Sequence, residues 1–175
     1  MPDHLRLIRP GTRAARCDVT PLFADAGAFA ALLADLEAQY AGAAFDLVAG
    51  IDALGFILGT ALAVRAGVGF LPIRKAGKLP VAADNEHFVD YTGQEKALEL
   101  AAGAVAPGTR LLLADEWIET GAQAGAAIRL LERQGGRVVG IATIHVDVSP
   151  RTRDLLRAYP CFAAEREESG GQPGG

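Results

Sequence analysis

One stretch constrains this chain more than any other: Leu111-Leu112-Leu113-Ala114-Asp115-Glu116-Trp117-Ile118-Glu119-Thr120-Gly121-Ala122-Gln123. Four apolar residues, two adjacent acids, two large apolar residues and a short polar turn run into an Ala-rich apolar pattern. Apolar run, polar turn, helix is the grammar of a buried parallel strand that delivers a loop to a helix N-terminus. The stretch therefore predicts an α/β protein with a central parallel sheet. It also places Asp115 and Glu116 at the end of a strand, the edge at which open α/β sheets bind ligands.

The rest of the chain supplies partners for that strand. Phe29, Leu32, Leu33 and Leu36 fall at helical spacing, and Gly42 ends the pattern. Phe45 to Ile51 reads as a first core strand, followed by a helix to about Ala66 with Gly67 as its C-cap. Val68 to Ile73 reads as a second strand, reached by a right-handed crossover. From Val81 to Gly93 the pattern turns polar and predicts a functional loop, with Glu95 to Leu100 pairing back as a short strand. Ala124, Ala127, Ile128 and Leu131 mark the face of the helix after the opening stretch. Arg137 to Val148 reads as a fourth strand, and Ser149-Pro150 as the N-cap and first residue of a short last helix. The polar, Gly-rich segment 165–175 is expected to be disordered, which leaves one domain over residues 1–164.

Composition narrows the function. At 175 residues, half of them hydrophobic, the chain suits one domain with a sizeable core. The net charge is −4 and no long basic tract is present, so neither nucleic acid nor a membrane surface is an expected partner. Cys17 and Cys161 lack metal spacing and read as reduced thiols. The N-terminus lacks the regions of a signal peptide, and no apolar run reaches the ~18 residues of a membrane span. A cytoplasmic protein is expected.

Three constellations carry chemistry. Asp115 and Glu116 can accept hydrogen bonds from vicinal hydroxyls, while the following turn points N–H groups and the positive end of a helix dipole at a phosphate. A ribose 5-phosphate satisfies both halves, although an ordinary strand-turn-helix with exposed acids has the same pattern. Gly50-Ile51-Asp52-Ala53-Leu54-Gly55-Phe56 is a second strand-to-helix loop, either a tight crossover or a main-chain cradle for diphosphate. Arg74-Lys75-Ala76-Gly77-Lys78 sets three cations at the end of a core strand, either as a solvated loop or as a clamp on a polyanion. Trp117 reads as packing or as base stacking, and His4, His87 and His145 show no pairing logic.

The opening stretch resembles the phosphoribosyl-diphosphate (PRPP) signature of type I phosphoribosyltransferases. The three segments in this order resemble adenine phosphoribosyltransferase, over about Asp18 to Val148: Gly50 to Phe56, Ile73 to Pro80, and Leu111 to Gln123. Asp90-Tyr91 is similar to the family's Glu-Tyr pair in a mobile loop, and Lys96 to a following lysine. The resemblance implies the type I phosphoribosyltransferase fold, a central parallel sheet flanked by helices with a small hood and a flexible loop. It implies a homodimer that binds PRPP with Mg2+, the metal held through PRPP rather than directly by protein, and joins a purine-type nucleobase to the ribose as diphosphate leaves.

The same resemblance implies site roles. Asp115 and Glu116 would hold the ribose hydroxyls; Thr120, Gly121, Ala122 and Gln123 the 5′-phosphate; Asp52, Ala53, Leu54, Arg74, Lys75 and Lys78 the diphosphate; and Tyr91 would belong to the closing loop. Several positions depart from the pattern. Leu54 stands where the adenine enzymes have arginine, Ala122 and Gln123 replace glycine and threonine, and Cys17 lies near an arginine of the base-binding hood. Glu119 replaces alanine. The hypoxanthine–guanine enzymes carry an acid there, near the purine N7, which makes Glu119 a candidate for base chemistry. A non-catalytic sensor of PRPP or nucleotide on the same fold is the alternative these departures allow.

Overall fold

The computed structural model describes residues 3–10 and 17–168. The chain divides into two compact units, one up to Ala41 and one from Gly42 onward.

The first unit holds a 3-10 helix over Asp3–Leu7, a two-residue ladder of β1 (Arg9–Pro10) against β2 (Cys17–Asp18), and helices α1 (Thr20–Ala24) and α2 (Ala26–Tyr40). Pro10-Gly11, a pair that marks a turn in sequence, lies partly outside the described residues. Asp25 caps α2 by accepting from the Ala28 N–H at 2.8 Å. Leu32, Leu33 and Leu36 are buried, as their spacing predicts.

The second unit is a seven-stranded sheet in the order β5-β6-β4-β3-β7-β8-β9. Its elements are β3 (Leu47–Ile51), α3 (Leu54–Ala66), β4 (Gly69–Lys75), β5 (Ala83–Val89), β6 (Glu95–Ala101), β7 (Arg110–Ile118), α4 (Ala122–Arg133), β8 (Arg137–Val148), α5 (Arg153–Ala158) and β9 (Cys161–Glu168). Strands β4, β3, β7, β8 and β9 run parallel, and β6 is antiparallel to both β4 and β5. Leu111, Leu112 and Leu113 at the middle of the sheet are fully buried, each worth ~1.5–3 kcal/mol of hydrophobic burial. On one face, Leu111 and Leu113 share a core cluster with Ala124, Ala127, Ile128 and Leu131 of α4.

On the other face α3 sits unusually close. A Cβ added to Gly55 would lie 2.6 Å from the Ala114 carbonyl oxygen, and one on Gly59 would lie 2.8 Å from the Phe70 ring. A Cβ on Gly50 would meet the Gly55 carbonyl at 2.5 Å. These glycines let the helix N-terminus settle onto the strand ends. Gly67 closes α3 at φ +69, the left-handed C-cap that the sequence predicts.

Three expectations are corrected. The polar segment 81–93 is mostly strand, because the inward acid of β5 is satisfied by α4 rather than by apolar packing: Arg129 donates to Glu86 at 2.6 Å and Arg133 to the same carboxylate. Segment 165–168 is ordered as the end of β9, paired with Val146, Asp147 and Val148 of β8 from Arg166 onward; residues 169–175 lie outside the described residues. The last helix begins at Arg153, not at Pro150. The buried Thr152 hydroxyl donates to the Asp147 carbonyl at 2.6 Å and accepts from the Ser149 N–H at 3.0 Å, which makes 149–152 a turn.

Replacing Gly55 with alanine is expected to cost ~1–3 kcal/mol by overpacking against the β7 main chain. The measurement is the shift in urea midpoint. An unchanged midpoint would show that α3 lifts from β7 without cost.

Candidate active site

Strands β4, β3 and β7 are neighbours and parallel, so the loops after them leave the sheet at one edge. The C-terminal ends of these strands and the segments that follow them carry Arg74 to Lys78, Asp52 to Leu54, and Asp115 to Gln123. The topology thus brings the three constellations together. The β5–β6 turn joins them, because β6 runs antiparallel to β4 with Lys75 opposite Leu98, and its start at Glu95 projects beyond the end of β4. Tyr91 lies in that turn. Its shape is set by Asp90, whose carboxylate accepts from the Thr92 N–H at 2.8 Å, the Thr92 hydroxyl at 2.6 Å and the Gln94 N–H at 3.1 Å.

Asp52 couples two of the loops. Its N–H donates to the Ile73 carbonyl at 3.0 Å and its carboxylate accepts from Arg74 Nε at 3.3 Å. This orients the guanidinium at the strand edge. The Asp52–Ala53 peptide is cis. Helix α3 starts immediately after, with no side-chain cap from Ala53, which leaves its first N–H groups, at the positive end of the helix dipole, without a side-chain acceptor on the cap residue. Leu54 is the first residue of that helix and is half-buried.

The basic loop has a support that the sequence did not reveal. Glu99 on β6 is buried and accepts from the main-chain N–H groups of Gly77 at 2.9 Å and of Lys78 and Leu79 at 2.5 Å. Burial works to raise its pKa, but the three donors outweigh it and hold the carboxyl below the usual range. Lys75 and Lys78 keep their side chains exposed while this carboxylate shapes the backbone between them.

At the end of β7, Asp115 is 2 % exposed. Oδ1 accepts from the Glu116 N–H at 3.0 Å and Oδ2 from the Gln123 side-chain amide at 2.9 Å. Desolvation, then the neighbouring Glu116 charge, pushes its pKa well above the ordinary 3.8. Glu116, Glu119 and Thr120 are half-buried. Gly121 is the N-cap of α4 at φ +77, a conformation that favours glycine. The Thr120 hydroxyl accepts from the Ala122 N–H at 3.3 Å. The amide of Gln123, expected to face a phosphate, is engaged with Asp115 instead.

Trp117 stacks on His145, with ring centroids 3.7 Å apart and planes 17° from parallel. His145, which showed no pairing logic in sequence, is buried and paired with Asp147 and Glu165. The period-2 acids of β8 and β9 would have revealed this only with both strands and their register known. Cys17 and Cys161 form no disulfide among the described residues, and burial pushes the Cys161 thiol up to about 11.

Comparison with known proteins now decides the family. The chain is 46% identical over 128 residues to the adenine phosphoribosyltransferase of Kineococcus radiotolerans, covering 73% of this chain and 68% of that one. It is 46% identical over 131 residues to that of Maricaulis maris, covering 75% and 74%. The chain belongs to the adenine phosphoribosyltransferase family. No family model matches it. Among solved structures, the adenine phosphoribosyltransferase of Thermoanaerobacter pseudethanolicus superposes with a TM-score of 0.85 at 32% identity, over 92% of this chain and 96% of that one. The Giardia lamblia enzyme complexed with 9-deazaadenine gives 0.85 at 28%, over 95% and 97%. The type I phosphoribosyltransferase fold and an enzymatic, purine-type phosphoribosyl transfer follow.

The raised pKa of Asp115 has a sign for stability. Above the unfolded value the folded carboxyl still holds its proton, so stability falls as pH rises from about 4 towards the folded pKa. Asp115→Asn is expected to remove that part of the slope in a series of urea midpoints across this range. Parallel profiles for the two proteins would refute the assignment.

Proposed function

We propose that this protein joins adenine to PRPP, with release of diphosphate and formation of AMP, and that the residues at the ends of β3, β4 and β7 carry the reaction. One observation supports the reading above others. A carboxylate pair, an oriented arginine and two helix N-termini without a side-chain cap on the cap residue leave adjacent parallel strands at one edge. The names of the relatives supply the base.

Within that reading, Asp115 and Glu116 accept the ribose hydroxyls and set negative potential beside the positive charge that develops at C1. The Gln123 amide holds Asp115 in place for this task. Thr120, Gly121 and Ala122, at the start of α4, receive the 5′-phosphate. Asp52, Ala53 and Leu54 present the start of α3 to the diphosphate, and Arg74, with Lys75 and Lys78, neutralises it as it leaves. Leu54 contributes only its N–H, so Arg74 bears more of that charge. Tyr91 covers the site edge from the β5–β6 turn, excluding water that would hydrolyse PRPP. Glu119 addresses the imidazole edge of the base.

Mg2+ fits as a companion of PRPP, held through the diphosphate rather than directly by protein, with the hard carboxylate oxygens of Asp52 and Glu116 at the same strand edge. When bound with PRPP it offsets negative charge on the diphosphate. A homodimer is supported by Ile57 and Val64, which are exposed two turns apart on α3. Residues 1–164 acting as one phosphoribosyltransferase domain is supported by the 92% of the chain that the Thermoanaerobacter structure spans. A cytoplasmic location accords with the absence, among the described residues, of a helix long and apolar enough to cross a membrane.

With Mg2+ and PRPP, diphosphate release is expected on adenine in preference to hypoxanthine, guanine, xanthine or pyrimidines. PRPP binding without turnover on any base would replace the enzyme reading with a sensor. The double variant Asp115→Asn, Glu116→Gln is expected to lower kcat/KM by ~10²-fold or more; near-normal rates would mean that the signature is misassigned. Glu119→Ala is expected to slow turnover about tenfold with little change in the KM for PRPP. An unchanged rate would leave Glu119 as a solvated helix-start acid.

A further inference from the structure

The purine-transfer reading makes no use of the side chains that surround His145. Three parallel strands place Trp117, His145 and Glu165 in register, and Asp147 opposite Glu167. His145 is 2 % exposed and offers its two nitrogens to different acids. Nδ1 lies 3.0 Å from Glu165 Oε2. Nε2 lies 2.9 Å from Asp147 Oδ1 and 3.6 Å from Glu167 Oε2. Among the described residues, no lysine or arginine pairs with these three carboxylates.

We propose that His145 Nε2, Asp147 and Glu167 form a site for a divalent first-row ion, Zn2+ or Mn2+, with Glu165 orienting the imidazole from its far side. Three features carry this. One ligand atom from each residue lies within 4.8 Å of the others. Ligands at ~2.1 Å in tetrahedral array stand ~3.4 Å apart, so Glu167 is already at ligand spacing from Nε2 and Asp147 needs only to draw back by about half an ångström. Glu165 on Nδ1 is the arrangement that fixes the tautomer of a metal-bound histidine and leaves Nε2 with its lone pair facing the two carboxylates. In that tautomer, a cation between Nε2 and the two carboxylates turns the repulsion of a lone pair facing two anions into ligation.

The donor set selects the ion. One imidazole nitrogen with two carboxylate oxygens suits Zn2+ or Mn2+, whereas the ion that accompanies PRPP is a hard cation that prefers oxygen alone. Bound there, the metal would cross-link the edge strand β9 to β8 and fix the ring on which Trp117 stacks, two residues beyond Asp115. The proposal does not depend on which base the enzyme accepts.

Trp117 is the only tryptophan, and its stacking on His145 makes it the reporter. Full-length protein freed of metal with a chelator would be titrated with Zn2+, Mn2+ and Mg2+ without PRPP, following tryptophan emission and equilibrium dialysis. One Zn2+ or Mn2+ per chain is expected, with an emission change and with Mg2+ at least ~100-fold weaker. Glu167, whose side chain is 70 % exposed, can change without disturbing the fold. Glu167→Gln is expected to weaken binding about tenfold or more while leaving transferase turnover unchanged, and Glu165→Gln to weaken it ~10–100-fold. His145→Gln should abolish the emission change. Binding that is absent, unaltered by Glu167→Gln and Asp147→Asn, or equally tight for Mg2+ would overturn the proposal.

Discussion

Asp115 sits almost without solvent at the end of β7, its two oxygens held by the Glu116 main chain and the Gln123 amide. A buried carboxyl in that position is costly for the fold, and burial together with the adjacent Glu116 raises its pKa accordingly. The cost falls where strand, turn and helix meet, and the hydrogen bond from Gln123 ties the first turn of α4 to the strand that precedes it. The side-chain amide of Gln123 therefore helps to set the position of the acid that the proposed reading assigns to ribose. Where the resemblance implies glycine and threonine, this chain has Ala122 and Gln123, and the Gln123 amide makes that contact. What looks in sequence like a weakened phosphate grip is, in the folded chain, a brace on the acid beside it.

The opposite face of the sheet solves a different problem. An anion site on a helix N-terminus works only if the helix comes close to the strand ends, and the contact of Gly55 and Gly59 with Ala114 and Phe70 permits this. The same closeness sets the N–H groups at the start of α3 next to Arg74, whose direction Asp52 controls. Glu99 completes the arrangement by gathering three main-chain donors of the basic loop. Two carboxylates that touch no expected phosphate thus organise the positive groups that would. In the proposed reading, backbone donors and the guanidinium preset by Asp52 would carry the diphosphate charge where the resemblance implies an arginine at position 54.

Much of this was legible from residues alone. The core strand that starts near Leu111, the helix face of Ala124, Ala127, Ile128 and Leu131, the Gly67 cap and the strand Arg137 to Val148 follow from hydrophobic period and capping chemistry, which are local; that the first of these continues past Asp115-Glu116 to Ile118 did not. Family membership was legible too, because the three loops keep their order and spacing. Strand β5 and the end of β9 were not. Their polar residues are satisfied by arginines of α4 and by His145 of β8, and a pattern of polar residues reads as loop when its partners are distant in sequence.

By itself, then, the sequence determined the parallel α/β architecture, the chemical kinds of group at each loop and the family, because those rest on short-range periodicity and on contiguous motifs. Only the tertiary structure decided which partner each polar side chain takes. Gln123 turns to Asp115, Glu99 gathers the basic loop, and His145 stands among three acids beneath Trp117. The physical reason is that hydrogen-bond pairing across strands is set by register, and register is fixed only when the whole sheet buries its apolar face.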